Sequence, residues 1–177
     1  MIKVVFFLCQ FFFQNIDIPL TENAAYISTD TIDYKVYSSY EEFQSKELEG
    51  EKDQILLVNF WATWCGPCRA EMPDINRVYE DERDRGFNVV AIDLMETEEQ
   101  IRRFIDDDLG GLSFTIGLDP DGDVNSEYRI VSYPTSFLID GNGIIVLKHS
   151  GGFTEKFLRD ELEEKFGMAN VTTAILG

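Results

Sequence analysis

The sequence predicts an α/β fold, a central sheet with helices on both faces. Three observations predict it. Strand and helix signals alternate along the chain, two long apolar runs lack the polar alternation of a half-exposed strand, and a hairpin signal precedes one last amphipathic helix. The first run, residues 54–61 (QILLVNFW), and the second, Phe87–Leu94 (FNVVAIDL), have the composition of strands covered on both faces.

Residues 1–13, MIKVVFFLCQFFF, hold one positive charge at Lys3 and two short apolar runs split by Gln10. That is shorter than the roughly 18–20 apolar residues a membrane-crossing helix needs. It matches a signal h-region in length, with no small-residue cleavage site after it. An export signal or short membrane anchor is expected here; a buried first strand or a misassigned start is the alternative. Cys9 lacks the small residues that precede a lipid-modified cysteine and reads as an apolar side chain. Residues 14–33 mix polar types with one proline and no sustained period, and read as a linker. The folded domain is expected over 34–166, with an uninformative tail at 167–177.

Within that domain, 34–37 is a short strand candidate, and 40–48 a helix with Tyr40, Phe43 and Leu48 as its apolar positions. After the first long strand comes a helix from about 67 to 83. The second long strand leads to a helix over 97–107 that turns Ile101, Phe104 and Ile105 inward. Its Asp106-Asp107-Asp108 run reads as a solvated end, although a helix C-terminus disfavours negative charge. A strand over 114–118, the turn Asp119-Pro120-Asp121-Gly122 and a short helix at 124–128 follow. Asp119, Asp121 and Asp123 alternate like a calcium loop, but Val124 holds the position that needs glycine and Ile130 the twelfth. A turn with a helix cap is the better reading. Segments 135–140 and 144–149 flank Gly141-Asn142-Gly143 as a β-hairpin. The final helix, 154–166, carries Phe157, Leu158, Leu162 and Phe166 on one stripe.

At 177 residues the chain makes one domain with an appendage, long enough to bury a core without staples. Its net charge is −18, and no basic stripe offsets it, which argues against nucleic-acid binding and against electrostatic attachment to anionic lipid. His149 is the one histidine, so no His-rich metal site and no imidazole pair for a proton relay can form; at a strand end it reads as structural. Three cysteines are too few for a disulfide scaffold, so their spacing carries the information.

Trp64-Cys65-Gly66-Pro67-Cys68 lies between the strongest strand and a helix. Unpaired N–H groups and the helix dipole stabilise a thiolate on the first sulfur. The second, one turn along, can close a disulfide with it, and Pro67 suits the first turn because no N–H partner is lost there. Such a pair can attack a foreign disulfide, form a mixed disulfide and resolve it. The competing readings are half a zinc site or two incidental core cysteines. Zinc needs four ligands, and Cys9, Cys65, Cys68 and His149 include no second close pair, so no metal and no cofactor are expected.

Phe60-Trp61-Ala62-Thr63-Trp64-Cys65-Gly66-Pro67-Cys68-Arg69, with Pro73 beyond it and Tyr133-Pro134-Thr135 later, resembles the thioredoxin superfamily over residues 34–166. The resemblance implies a thioredoxin-like fold with a central mixed β-sheet flanked by helices. It also implies that Pro134 is a cis proline facing the cysteine pair, which turns the Tyr133 backbone outward to pair with an extended substrate segment. Two departures narrow the group. Asn59 stands where cytosolic thioredoxins carry a buried Asp, and Glu71 follows Cys68 by three residues on the same helical face. Cys-x-x-Cys-x-x-Glu-x-Pro, from Cys65 to Pro73, resembles the TlpA/ResA-like group of membrane-tethered disulfide reductases. So does the helix-strand segment 97–118 inserted before the cis-proline loop. By that resemblance Glu71 accepts the proton of Cys68; the bland reading is an exposed helical Glu near Arg69.

The function implied is a thiol-disulfide oxidoreductase that reduces protein disulfides outside the cytoplasm. Cys65 is its nucleophile, Cys68 its resolving thiol and Glu71 its proton acceptor, with Trp64, Gly66, Pro67, Tyr133 and Pro134 as the docking surface. Trp61 is expected in the core. The group implies apocytochrome c or another envelope protein as substrate, a membrane dithiol as electron donor, and an exported or membrane-anchored monomer. A cytosolic thioredoxin-like reductase is the alternative. A thiol peroxidase would resemble Pro-x-x-x-Thr-x-x-Cys, where this chain has Val58 and Ala62, and a copper chaperone on this fold would space its cysteines one residue wider.

Overall fold

A computed structural model describes residues 26–30, 33–37, 55–141 and 144–168. Seven strands form one mixed sheet: β1 (Tyr26–Asp30), β2 (Asp33–Tyr37), β3 (Ile55–Trp61), β4 (Phe87–Leu94), β5 (Thr115–Asp119), β6 (Thr135–Ile139) and β7 (Ile145–Ser150), in the order β2-β1-β5-β4-β3-β6-β7. The three central strands β5, β4 and β3 run parallel, and the rest join antiparallel. Parallel neighbours need crossovers, which α1 (Gly66–Glu82) supplies between β3 and β4 and α2 (Glu98–Phe104) between β4 and β5. A short α3 (Asp123–Glu127) follows β5, and α4 (Glu155–Phe166) is the last helix of the described residues.

The two apolar runs become β3 and β4, and their alternate residues fill two separate cores. Leu57, Trp61, Val89 and Ala91 pack with Met72, Ile75 and Val78 of α1, Ile101 and Phe104 of α2, and Leu158 and Leu162 of α4. Val58, Phe60, Val90 and Ile92 face the other way, onto Val124 of α3 and the partly buried Tyr128. A strand buried on both faces has no polar side to show, which is why these runs read as continuous. Trp61 is wholly buried.

Three elements differ from expectation. Tyr26–Asp30, inside the segment read as a linker, is strand β1, with Tyr26 and Ile27 paired to Gly117 and Ile116 of β5. The five residues YISTD are too short and too polar to show a period of two. The helix expected over 97–107 ends as α-helix at Phe104 and widens into a π-type turn, Ile105–Leu109, stopped by Gly110 in the left-handed region. Ile101, Phe104 and Ile105 are still buried, and Asp106, Asp107 and Asp108 exposed. On α4 only Leu158 and Leu162 are fully buried; Phe157 and Phe166 are half-buried. The expected elements over 1–13 and 40–48, and the end of the tail beyond 168, lie outside the described residues. Among the described residues no helix is long and apolar enough to cross a membrane.

Where a calcium-like spacing was seen, Asp119 instead closes a turn. Its carboxylate accepts the backbone N–H groups of Val124 at 3.2 Å and Asn125 at 2.9 Å, while Gly122 takes the left-handed conformation before α3. Orphan N–H groups at a helix start need such an acceptor.

Candidate active site

The site sits where β3 runs into α1. Cys65 is the N-cap of α1, with extended backbone, and its Sγ accepts the Cys68 backbone N–H at 3.3 Å. Pro67 lies in the first turn. The loop before it is closed by the Cys65 N–H, which donates to the Ala62 carbonyl at 3.1 Å. Cys65 and Cys68 are joined by a disulfide, with Cα atoms 5.3 Å apart. Cys65 retains 6% of its surface and Cys68 none, so the N-terminal sulfur is the one a second molecule can reach.

Around them the expected site residues fall into an outer and an inner group. Trp64 is 65% exposed, and Gly66 and Pro67 are exposed beside it. The Tyr133–Pro134 bond is cis, and the Tyr133 ring meets that of Trp64 edge-on with centroids 6.0 Å apart. Pro134 is buried; its carbonyl accepts the Gly151 N–H at 2.8 Å, which fastens this loop to the end of β7.

The inner group centres on Glu71, which is buried rather than an exposed helical residue. Its Oε1 accepts Asn59 Nδ2–H at 2.9 Å, and its Oε2 accepts the Phe153 backbone N–H at 3.1 Å. Asn59 also donates to Ser136 Oγ at 2.9 Å, and its Oδ1 has no partner among the described residues. Burial pushes the Glu71 carboxyl up to about 7, against the two hydrogen bonds that favour its charged form. Glu71 lies three residues after Cys68, on the same face of α1. Arg69 does not pair with it: the guanidinium lies over the Phe104 ring, 4.6 Å from the centroid, and 3.4 Å from Asp108.

The sequence reading missed a second layer. The Glu96 carboxylate accepts the Thr63 backbone N–H at 2.6 Å and hydroxyl at 2.5 Å, which pins the loop before Trp64. Asp93 beside it is wholly buried; burial first, then the Glu96 carboxylate, pushes it up to about 9, so it is a neutral acid at pH 7. The Thr63–Glu96 contact has no local signal, because the two residues come from different crossovers. The Gly151-Gly152 loop was also missed. An added Cβ at Gly152 would stand 3.4 Å from Pro67 Cβ and 3.8 Å from Glu71 Oε2, so the chain passes close over the site there. A Gly-Gly pair after a strand was the available signal. His149 packs against Phe153 and Phe157, with ring centroids 5.9 and 4.7 Å away.

A mixed sheet with a disulfide-forming pair at the first crossover helix and a cis proline in the neighbouring loop defines a thioredoxin-like thiol-disulfide oxidoreductase. Residues 27–148 match the AhpC/TSA family, and the chain belongs to it. It is 36% identical to the thioredoxin-like protein YneN of Bacillus subtilis over 69% of this chain and 75% of that one. It is 37% identical to the thiol-disulfide oxidoreductase ResA of Halalkalibacterium halodurans, over 70% of this chain and 67% of that one. The solved structure of StoA from Bacillus subtilis superposes with a TM-score of 0.57 at 26% identity, covering 80% of this chain and 98% of the other.

Proposed function

We propose that this oxidoreductase works as a reductant of protein disulfides outside the cytoplasm, in the manner of cytochrome c maturation. The observation that carries the reading is Glu71: a buried carboxyl with its affinity for protons raised to near neutrality, one helical turn beyond Cys68. Cys65, as thiolate at the helix N-terminus, attacks one sulfur of a substrate disulfide. That S–S bond breaks, the other substrate sulfur leaves as thiolate, and a mixed disulfide through Cys65 remains. Cys68 then gives its proton to the Glu71 carboxylate and attacks the Cys65 sulfur. The second substrate sulfur leaves as thiolate, and the Cys65–Cys68 disulfide forms. Two electrons have passed to the substrate, and a dithiol donor returns them in the reverse exchange.

Trp64, Gly66, Pro67, Tyr133 and Pro134 form the docking surface in this reading, with the Tyr133 backbone offered to an extended segment by strand addition. Apocytochrome c is the substrate and a membrane dithiol the donor that the TlpA/ResA-like resemblance favours. The apolar run at residues 1–13 supports export or anchoring. The test is to express Cys68→Ala in cells and recover what is attached. A thiol-reversible adduct through Cys65 to an envelope protein is expected. Adducts to cytosolic proteins alone, or recycling by thioredoxin reductase, would favour the cytosolic reductase instead. Peroxide turnover without disulfide reduction would make the protein a peroxidase.

A further inference from the structure

The loop that carries Tyr133 is held by a residue the catalytic scheme does not use. Asn125, on the short helix α3, is buried, 5% exposed. Its backbone N–H donates to Asp119 Oδ2 at 2.9 Å and its side-chain Nδ2–H to the same oxygen at 2.8 Å. A carboxylate oxygen accepts only, so this contact fixes which end of the amide is which and leaves Oδ1 facing away from Asp119. The Tyr133 hydroxyl donates to that Oδ1. Tyr133 in turn sets its ring edge-on against Trp64, next to Cys65. The phenol stays protonated and able to donate, since burial and then the Asp119 charge push its pKa up.

We propose that Asn125 is a positioning residue for the substrate groove: clamped by Asp119, it fixes the Tyr133 hydroxyl and thereby the spacing of the Tyr133–Trp64 rim on which a polypeptide must lie. The proposal rests on the reading of this face as a docking surface for protein disulfides. It predicts discrimination between substrates. A disulfide embedded in a peptide needs the rim, whereas a small disulfide such as bis(2-hydroxyethyl) disulfide needs only the sulfur of Cys65.

The experiment measures steady-state reduction of both, with dithiothreitol as electron source, for the full chain and for Asn125→Leu, Tyr133→Phe and the double variant. Loss of one buried hydrogen bond predicts that Asn125→Leu raises KM for the peptide about five- to tenfold. Its kcat for the peptide and its rate on the small disulfide are expected to change less than about twofold. The double variant should be no worse than either single one, because both remove the same bond. An equal loss on both substrates, an unchanged peptide KM, or additive losses would overturn the positioning role. If Asn125→Leu fails to fold, Asn125→Ala, which lacks the amide but keeps the backbone N–H that Asp119 accepts, takes its place in both assays. A wild-type chain that reduces the small disulfide and no peptide overturns the docking reading and this inference together. A wild-type chain active on both, with variants of unchanged KM, overturns this inference alone.

Discussion

Asn59 of β3 and Glu71 of α1 are both buried and are joined by a 2.9 Å hydrogen bond in which the amide donates to the carboxylate. The bond favours the charged form of Glu71 and opposes the burial that favours the neutral one. Its removal therefore raises the Glu71 pKa further above 7. In Asn59→Asp a second carboxyl replaces the donor, and two carboxyls at this distance share a proton. The pH at which resolution of the mixed disulfide reaches half its maximum should move up by about one unit or more. Stopped-flow release of a peptide from Cys65, followed across pH 5 to 9, measures it. An unmoved profile would mean that Glu71 does not take the proton.

Glu71→Gln separates that proton transfer from the first attack. Formation of the mixed disulfide should be nearly unaffected, and its resolution slowed by about 10²-fold, the usual scale of general base catalysis. The rise of the wild-type rate through pH 7 should flatten. Equal slowing of both steps would mark Glu71 as structural.

The same substitution has a stability signature of the opposite sign. A carboxyl that titrates near 7 when folded and near its ordinary value when unfolded binds more protons in the native state between those pH values. Wild-type stability is therefore greatest below the unfolded value and falls as pH rises through about 7. Glu71→Gln removes this dependence, and a turned Asn59 amide would give its unpartnered Oδ1 a donor. At pH 8 the oxidised variant should be more stable than wild type, by at most about 3 kcal/mol on the scale of 1.36 kcal/mol per pKa unit. Denaturant titrations at pH 8 and pH 4 check this, and the difference should shrink at the lower pH.

Much of this site could be read from residue order because its members are neighbours in sequence. Cys65, Pro67, Cys68 and Glu71 share one helix start, and three-residue spacing puts Cys65, Cys68 and Glu71 along one face. The buried strands β3 and β4 were legible as largely apolar runs without polar alternation. What escaped were contacts outside any shared motif: Glu96 on Thr63 and Phe153 on Glu71, between distant segments, and Asn125 on Tyr133, across a loop. A carboxylate before a helix, a backbone N–H after β7 and an amide on α3 carry no local mark of the partner that the fold brings to each. Strand β1 escaped because its five residues show no apolar alternation; its ladder is completed by β2 on one side and β5 on the other.

Gly151 offers a test of how the proline loop is held. Its φ is +99°, a backbone state that side-chain-bearing residues rarely adopt, and its N–H donates to the Pro134 carbonyl. Gly151→Ala should lose about 1–2 kcal/mol of stability, seen as a lowered melting temperature. It should also weaken peptide reduction more than reduction of a small disulfide, because the loop it releases carries Tyr133. A variant with unchanged melting temperature would show that this backbone conformation is not required.

Charge sets the last expectation. The chain carries −18, and the cation nearest the opening of α1 along its sequence, Arg69, is already paired with Asp108 beside the exposed Asp106 and Asp107. A basic polypeptide approaching Cys65 therefore meets an attractive field, and an acidic one a repulsive field. Salt shortens the reach of that field from about 30 Å at 0.01 M to about 10 Å at 0.1 M. Raising salt over that range should lower kcat/KM for a basic disulfide peptide about tenfold, leave a neutral one unchanged and accelerate an acidic one. The three slopes, measured on peptides differing only in flanking Lys, Gln or Glu, distinguish steering by net charge from recognition by the apolar rim. If all three respond alike, the acidic surface plays no part in choosing substrates, and selection falls to the Trp64 and Tyr133 contacts.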